Sequence, residues 1–308
     1  MVSLEVIQSL CSGKISFAEP LAPITSFRIG GPADFYIEPK SQEELLQLAT
    51  YLREQKFPFI IIGNGSNILV SDEGYRGAVI NLEGGFSFIQ KEGEIISAGA
   101  GIRVSAFVDF CIEHEMEGAE MLAGIPGTLG GAIIMNAGAY GGEISDHLVS
   151  VTVVREQAIQ RIAKEDAAFR YRASGLQQDI ILGAEFRFHK GEKEKLQAQR
   201  KALLLKRNAS QPTTFPNAGS IFKNPSGMFA AKVIEDAGLK GFRIGNAEVS
   251  ERHANFIINL GNAASSDVVA VMQHVRDVVY EKFHITLEPE IRFVGFSTNI
   301  LDEIKEHA

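Results

Sequence analysis

Apolar positions along the chain recur with two periods. Val104, Phe107, Val108, Cys111 and Ile112 are spaced three and four apart, the spacing that puts side chains on one helical face. Leu45, Leu46, Ala49 and Leu52 repeat that spacing after Ser41 and Glu44, which stand as S-x-x-E and predict a capping box at a helix start. A long helix is predicted from Val268, Val271, Met272, Val275, Val278, Val279 and Phe283, with Ser266 or Asp267 as its cap. A shorter one carries Phe229, Val233, Ile234 and Ala237 between a Ser226 cap and a terminating Gly238. Residues 191–208 start charged and become LLLK, a connecting helix with a domain boundary near its end. Short apolar runs without helical period predict strands at 35–38, 59–62, 78–82, 94–98, 148–154, 180–188, 254–260 and 287–294. The last would carry Glu288 and Glu290 on one face. The strand, helix and strand across 35–62 predict a β-α-β unit with parallel strands.

One stretch breaks both periods. Leu122 to Gly142 holds seven glycines, and only Thr128, Asn136 and Tyr140 in it bear polar side-chain groups. Glycine admits positive φ and close approach of a ligand, and successive free N–H groups form an anion-binding concavity. Tight turns between buried strands are one reading. The length of the run and its lack of charge favour a backbone wall against a large flat ligand. The 59–62 strand exits into Gly63-Asn64-Gly65-Ser66-Asn67, where ligands of such units sit, although Asn-Gly is also a common turn. Gly99-Ala100-Gly101-Ile102-Arg103-Val104 lacks the third glycine of a dinucleotide fingerprint and reads as a strand-to-helix turn. Arg170 and Arg172 flank Tyr171. The pattern alone fits a solvated edge, and the same arginines could grip a carboxylate bidentately.

Composition narrows the function class. The 308 residues allow one to three domains with a substantial core. A net charge of −8 argues against non-specific binding to nucleic acid or acidic membranes. Cys11 and Cys111 form no CxxC pair and are expected as reduced thiols. The opening MVSLEVIQSL has no basic region before an apolar core, so no signal peptide is expected. No apolar run approaches the ~20 residues of a membrane span. The histidines form no HExxH or His/Cys cluster, and no metal is expected.

The segments TSFRIGGPA, GNGSNILV, AGIPGTLGGAIIMNAGAYGGEI, YRASG, NAGSIFKNP, GLKGFRIGNAEVSERHANFIIN and LEPEIRFVG run in order from Thr25 to Gly295. Together they resemble the UDP-N-acetylenolpyruvoylglucosamine reductase family of flavoenzymes. The resemblance implies an α+β fold: a two-part FAD-binding domain of the PCMH type, then an α+β substrate-binding domain. The implied boundaries are 1–77, with 295–308 as a candidate completion, then 78–207, then 208–294. Non-covalent FAD would be cradled by Gly63, Asn64, Gly65, Ser66 and Asn67, and by Gly124, Ile125, Pro126, Gly127, Thr128, Gly130, Gly131 and Ala132. NADPH would supply a hydride that passes through FAD to C3 of the enolpyruvyl ether, and a proton would reach C2. By resemblance Ser220 donates that proton, while Arg172 and Glu290 hold and polarise the substrate carboxylate. Tyr171, Lys223, Asn224 and His253 match positions near the UDP-sugar. From chemistry alone Glu290 or His253 would be the nominated acid, because serine is a weak acid in water. A cytoplasmic monomer acting on UDP-N-acetylenolpyruvoylglucosamine, with no nucleic-acid or membrane partner, is the expected whole.

Departures from the family pattern are also visible. The longer type inserts a segment whose tyrosine closes over substrate, and 188–215 leaves no room for it, so the shorter type is expected. Residues 206–212 are less basic than in many relatives, which puts phosphate contacts from that segment in doubt. Two rival readings are an FAD oxidase of another alcohol or sugar acid, and a flavin- or nucleotide-binding regulator without turnover. NAGSIFKNP and LEPEIRF weigh against the first; the joint presence of Arg172, Ser220 and Glu290 weighs against the second.

Overall fold

A computed structural model describes residues 2–298 and 300. Along the chain, α1 (Leu4–Leu10) and β1 (Lys14–Pro20) precede β2 (Pro32–Glu38), α2 (Gln42–Glu54), β3 (Phe59–Ile62), β4 (Ile68–Val70) and β5 (Tyr75–Asn81). Next come β6 (Ile89–Glu92), β7 (Ile95–Gly99), α3 (Val104–Glu113), β8 (Met116–Glu117), α4 (Leu129–Ile134), β9 (Gly138–Ala139) and β10 (Gly142–Glu143). β11 (Leu148–Arg155), β12 (Ala158–Ala163), β13 (Ile180–Arg187) and β14 (His189–Lys190) lead into α5 (Lys193–Ser210). The chain then forms α6 (Ala230–Asp236), β15 (Arg243–Ile244), β16 (Ala247–Val249), β17 (Ile257–Asn259), α7 (Ser265–Phe283) and β18 (Arg292–Val294). The fold is α+β.

The chain divides into two compact units, each assembled from three segments. The first takes Met1–Phe17, Phe35–Gly63 and Gly77–Arg207; the second takes Ala18–Asp34, Asn64–Arg76 and Asn208–Ala308. Of the expected completion by 295–308, residues 299 and 301–308 lie outside the described residues.

Strands β1, β2, β5 and β3 form one sheet in that order, and β3 runs parallel to β5. The strands of the expected β-α-β unit are therefore not neighbours, since β5 lies between them. A five-stranded sheet, β12-β11-β13-β7-β6, is antiparallel throughout. Helix α3 buries the five residues its spacing predicts. Helix α2 buries Leu45, Leu48, Ala49 and Leu52, with Leu46 half-buried. Only half of its capping box forms. Ser41 Oγ accepts from Glu44 N at 3.2 Å, but the Glu44 carboxylate turns to Lys40 N at 2.8 Å and Ser12 Oγ at 2.6 Å.

The second unit has its own core, including Phe27, Leu69, Phe222, Val268, Met272, Val275 and Leu287. β15-β16-β17 form an antiparallel sheet, and β18 pairs in parallel with β4, placing Arg292 beside Ile68. Three local expectations are corrected here. Phe229, not Ser226, stands at the N-cap of α6 and is exposed, while Asn224 Oδ1 accepts from Ala230 N at 3.0 Å and closes the first turn. Ala264 precedes α7; Asp267 accepts from Ala264 N at 3.1 Å, and the remaining cap comes from Asp72, far away in sequence. The 287–294 strand shrinks to β18, because Pro289 has no N–H to continue a ladder. Gly238, at φ +80°, does end α6 as expected.

Candidate functional site

The glycine-rich stretch is less free than its composition implies. Within it Ala132, Ile133 and Ile134 lie in α4, behind Thr128 at the N-cap, and Met135 caps the end. Leu129 N donates to Ile102 O at 2.8 Å and Gly130 N to Ala100 O at 2.9 Å, so the protein itself takes two amides of the expected anion cradle. A Cβ on Gly130 would meet that of Ala100 at 3.0 Å. Gly130 is thus glycine for packing, and Ala132 is buried beside it.

Gly131 behaves differently. It is exposed, and a Cβ there would meet nothing nearer than Thr128 Oγ1 at 3.7 Å. Alanine would suit a helix better by about 1 kcal/mol, so the fold gives no reason for glycine. Close approach of a ligand to the α4 backbone would, as a flat cofactor such as FAD requires. Gly63 faces the same threonine: its Cβ would lie 2.0 Å from Thr128 Oγ1. Gly124 and Gly127 take φ of +83° and +109° in the loop with Ile125 and Pro126 that leads into α4. The Arg207 side chain packs on Gly124, and burial lowers the pKa of its guanidinium. Tyr140 OH donates to Leu203 O at 3.1 Å and Lys206 lies over its ring, so the C-terminal part of α5 is fastened to the glycine-rich stretch. Arg207, in the segment whose basic content looked low, is therefore against this loop.

Arg172 also belongs to the first unit. Arg170 and Ala173 exchange backbone hydrogen bonds at 2.9 and 3.0 Å, which leaves Tyr171 and Arg172 at the tip of a two-residue turn. Arg172 sits at φ +54°, sparse territory for a residue with a Cβ. Its Nη2 donates to Gly138 O at 3.1 Å, and its guanidinium lies 5.0 Å from the centroid of the half-exposed Tyr171 ring. Beneath the turn, fully buried Asn136 donates to Glu143 Oε2 at 2.6 Å and to Arg170 O at 3.1 Å.

The second unit holds Asn64, Gly65, Ser66 and Asn67 in the loop before β4. Gly65, at φ +56°, lies against Thr25, and its carbonyl accepts from Ser26 N at 3.2 Å. Asn67 Nδ2 donates to Glu290 O at 3.3 Å, and Asn67 O accepts from Arg292 N at 3.0 Å. Glu290 N in turn donates to Ile221 O at 2.7 Å, so the Ser220 and Glu290 segments are joined through the residue after the serine. The neighbouring pair is Lys223 and Glu288: Lys223 N donates to Glu288 O at 2.8 Å, and Lys223 Nζ meets Glu288 Oε2 at 3.1 Å in a solvent-exposed ion pair. Asn224 is occupied in capping α6. The His253 ring stands edge-on to Phe256 at 4.7 Å; its buried Nδ1 has no partner among the described residues, and desolvation lowers its pKa. Among the described residues, no group of three metal-ligating side chains occurs and no helix is long and apolar enough to cross a membrane.

Comparison with known proteins joins these features. A family model described as "FAD binding domain" matches residues 33–160. Together with the reductase relatives below and the open Gly131 on α4, it places the chain among the FAD-containing oxidoreductases. The model "UDP-N-acetylenolpyruvoylglucosamine reductase, C-terminal domain" matches residues 211–294. A protein of that reductase name from Caldanaerobacter subterraneus subsp. tengcongensis is 46% identical over 93% of this chain and 95% of its own length. One from Lachnoclostridium phytofermentans is 42% identical over 97% of this chain and 99% of its own. The crystal structure of the Thermus caldophilus reductase aligns with a TM-score of 0.79 and 33% identity, over 92% of this chain and 98% of that one. The chain belongs to the UDP-N-acetylenolpyruvoylglucosamine reductase family.

Proposed function

We propose that this protein reduces the enolpyruvyl ether of UDP-N-acetylglucosamine to UDP-N-acetylmuramate with NADPH, a step in making peptidoglycan precursors, and that it works as a cytoplasmic monomer of the shorter type. The reading keeps residues 1–77 and 78–207 as the two parts of the flavin-binding half and 208–294 as the sugar-nucleotide half. The stretch 188–215, filled by β14 and α5, supports the shorter type. Bound FAD would supply two-electron hydride chemistry between NADPH and the double bond. Gly63 to Asn67 and Gly124 to Ala132, Gly131 foremost, are the residues that would hold it.

The chain's own groups then handle carboxylate and proton. Arg172 carries the negative charge that builds on the substrate carboxylate as the double bond is reduced. Ser220 delivers the proton to C2, which a serine can do only to a basic enolate. Glu290, held to Ile221, donates a hydrogen bond to the same carboxylate if its own carboxyl is protonated there. Tyr171 and Lys223 contact the sugar nucleotide, and in this reading Lys223 exchanges Glu288 for a phosphate. Asn224 and His253 act by shaping that surface. The observation that supports the assignment is the Glu290 N to Ile221 O hydrogen bond, which joins the backbone segments that bear Ser220 and Glu290.

The test is spectroscopic. The purified protein should show flavin absorbance that bleaches on anaerobic addition of NADPH and returns on addition of the UDP-enolpyruvyl sugar. Bleaching with no return would remove the substrate assignment. Failure to take up FAD at all would remove the flavin reading.

A further inference from the structure

Ser220 lies between two asparagines to which sequence reasoning gave no role. On its N-terminal side, Gly219 N donates to Asn217 Oδ1 at 2.9 Å, and Asn217 Nδ2 is held by Phe215 O at 2.8 Å. This short-range turn sets the backbone where Gly219 takes φ +78°. On the C-terminal side the partner is Asn255, 3% exposed. Phe222 N donates to Asn255 Oδ1 at 3.0 Å, and Asn255 Nδ2 donates back to Phe222 O at 2.8 Å. Asn255 O also accepts from Ile221 N at 2.9 Å. One residue therefore makes three hydrogen bonds to the two residues after Ser220, and its carboxamide stands in for a missing strand. Ile221 is the residue whose carbonyl receives Glu290 N at 2.7 Å. Whatever fixes Ile221 and Phe222 therefore fixes Ser220 relative to Glu290.

We infer that Asn255, with Asn217 as its counterpart across the serine, is a positioning residue for proton delivery: it sets the direction of the Ser220 hydroxyl and its spacing from Glu290. The inference rests on the proton-donor role proposed for Ser220. Apolar packing alone would hold this segment in the core, since Ile221 and Phe222 are both buried. It would not choose one orientation of the peptide groups, whereas a carboxamide that donates to one and accepts from the other does.

The experiment compares the two half-reactions by stopped flow in Asn255→Ala, Asn217→Ala, Ser220→Ala and each asparagine variant combined with Ser220→Ala. Flavin content and bleaching by NADPH should stay within about twofold of native in Asn255→Ala. Flavin reoxidation by the UDP-enolpyruvyl sugar should slow on the order of 10- to 100-fold, the cost of misplacing a reacting group. On the Ser220→Ala background the same substitution should add little, because the two act through one hydroxyl. Unchanged reoxidation in Asn255→Ala, a fully additive double variant, or parallel loss in both half-reactions would each overturn the inference. Native reoxidation in Ser220→Ala alone would instead overturn the proton-donor role, whatever the asparagine variants do. Should Asn255→Ala yield no folded flavoprotein, half-buried Asn217→Ala carries the same comparison, and additivity there overturns the inference.

Discussion

Asp72 caps a helix that begins 193 residues later. Its carboxylate accepts from Ser265 N at 2.9 Å to both oxygens and from Ser265 Oγ at 2.9 Å, and Asp72 N donates to Ser265 Oγ at 3.0 Å. An anion at a helix N-terminus gains from the free N–H groups and from the helix dipole. Asp72→Ala should destabilise the protein by about 1–2 kcal/mol, and Asp72→Asn, which keeps an acceptor, by less. Urea unfolding curves for the three proteins check the order; equal midpoints would contradict the cap.

Two glycines facing Thr128 should respond oppositely to alanine. Gly63→Ala forces a methyl to 2.0 Å from Thr128 Oγ1 and should cost roughly 1–3 kcal/mol. Gly131→Ala meets only ordinary contact and should leave the flavin-free protein as stable or up to about 1 kcal/mol more stable. If FAD lies on α4, the same Gly131→Ala protein should bind it at least tenfold more weakly. Thermal melts of the apoprotein and a flavin titration separate the two effects.

Arg172→Lys keeps the charge but loses the planar fork that meets a carboxylate through two bonds. At saturating substrate, turnover should fall roughly tenfold or more, with NADPH bleaching preserved. Steady-state kinetics showing native turnover would remove Arg172 from the substrate carboxylate.

His253 carries a pH prediction. Burial lowers its pKa, with Lys240 adding to the effect and Glu235 opposing it. The unfolded chain takes up this proton near pH 6.5, the folded chain only at lower pH. Between those values the unfolded state binds more protons, so stability drops as pH falls, by at most about 1.4 kcal/mol per pH unit. Above pH 6.5 the contribution is fully present. Melts of the native protein and His253→Asn at pH 7 and pH 5 isolate it: the native protein should lose more.

What was legible in the sequence was what neighbouring residues decide. The buried face of α3 followed from spacing alone, and Gly238 ended α6 because only local backbone geometry mattered there. What failed depended on distant partners. Ser226 looked like a cap, but Asn224 reaches Ala230; Ser266 and Asp267 looked sufficient for α7, but Asp72 supplies two further acceptors. The expected anion cradle lost the Leu129 and Gly130 amides to the carbonyls of Ile102 and Ala100, a pairing no linear pattern displays. The candidate catalytic residues came from motif resemblance, which singled out His253 and passed over Asn255 two positions on.

The parallel pairing of β4 with β18 has a consequence during synthesis. Ile68 to Val70 leave the ribosome with no partner strand, and Asp72 with no helix to cap, until Arg292 to Val294 and the α7 start at Ser265 have followed. At typical elongation rates that interval is on the order of ten to forty seconds. Once Arg207 has been made the first unit's segments are complete, yet the newborn chain still carries an unpaired strand between two of them until β18 follows, and this is the period in which a chaperone, or aggregation, has its opportunity.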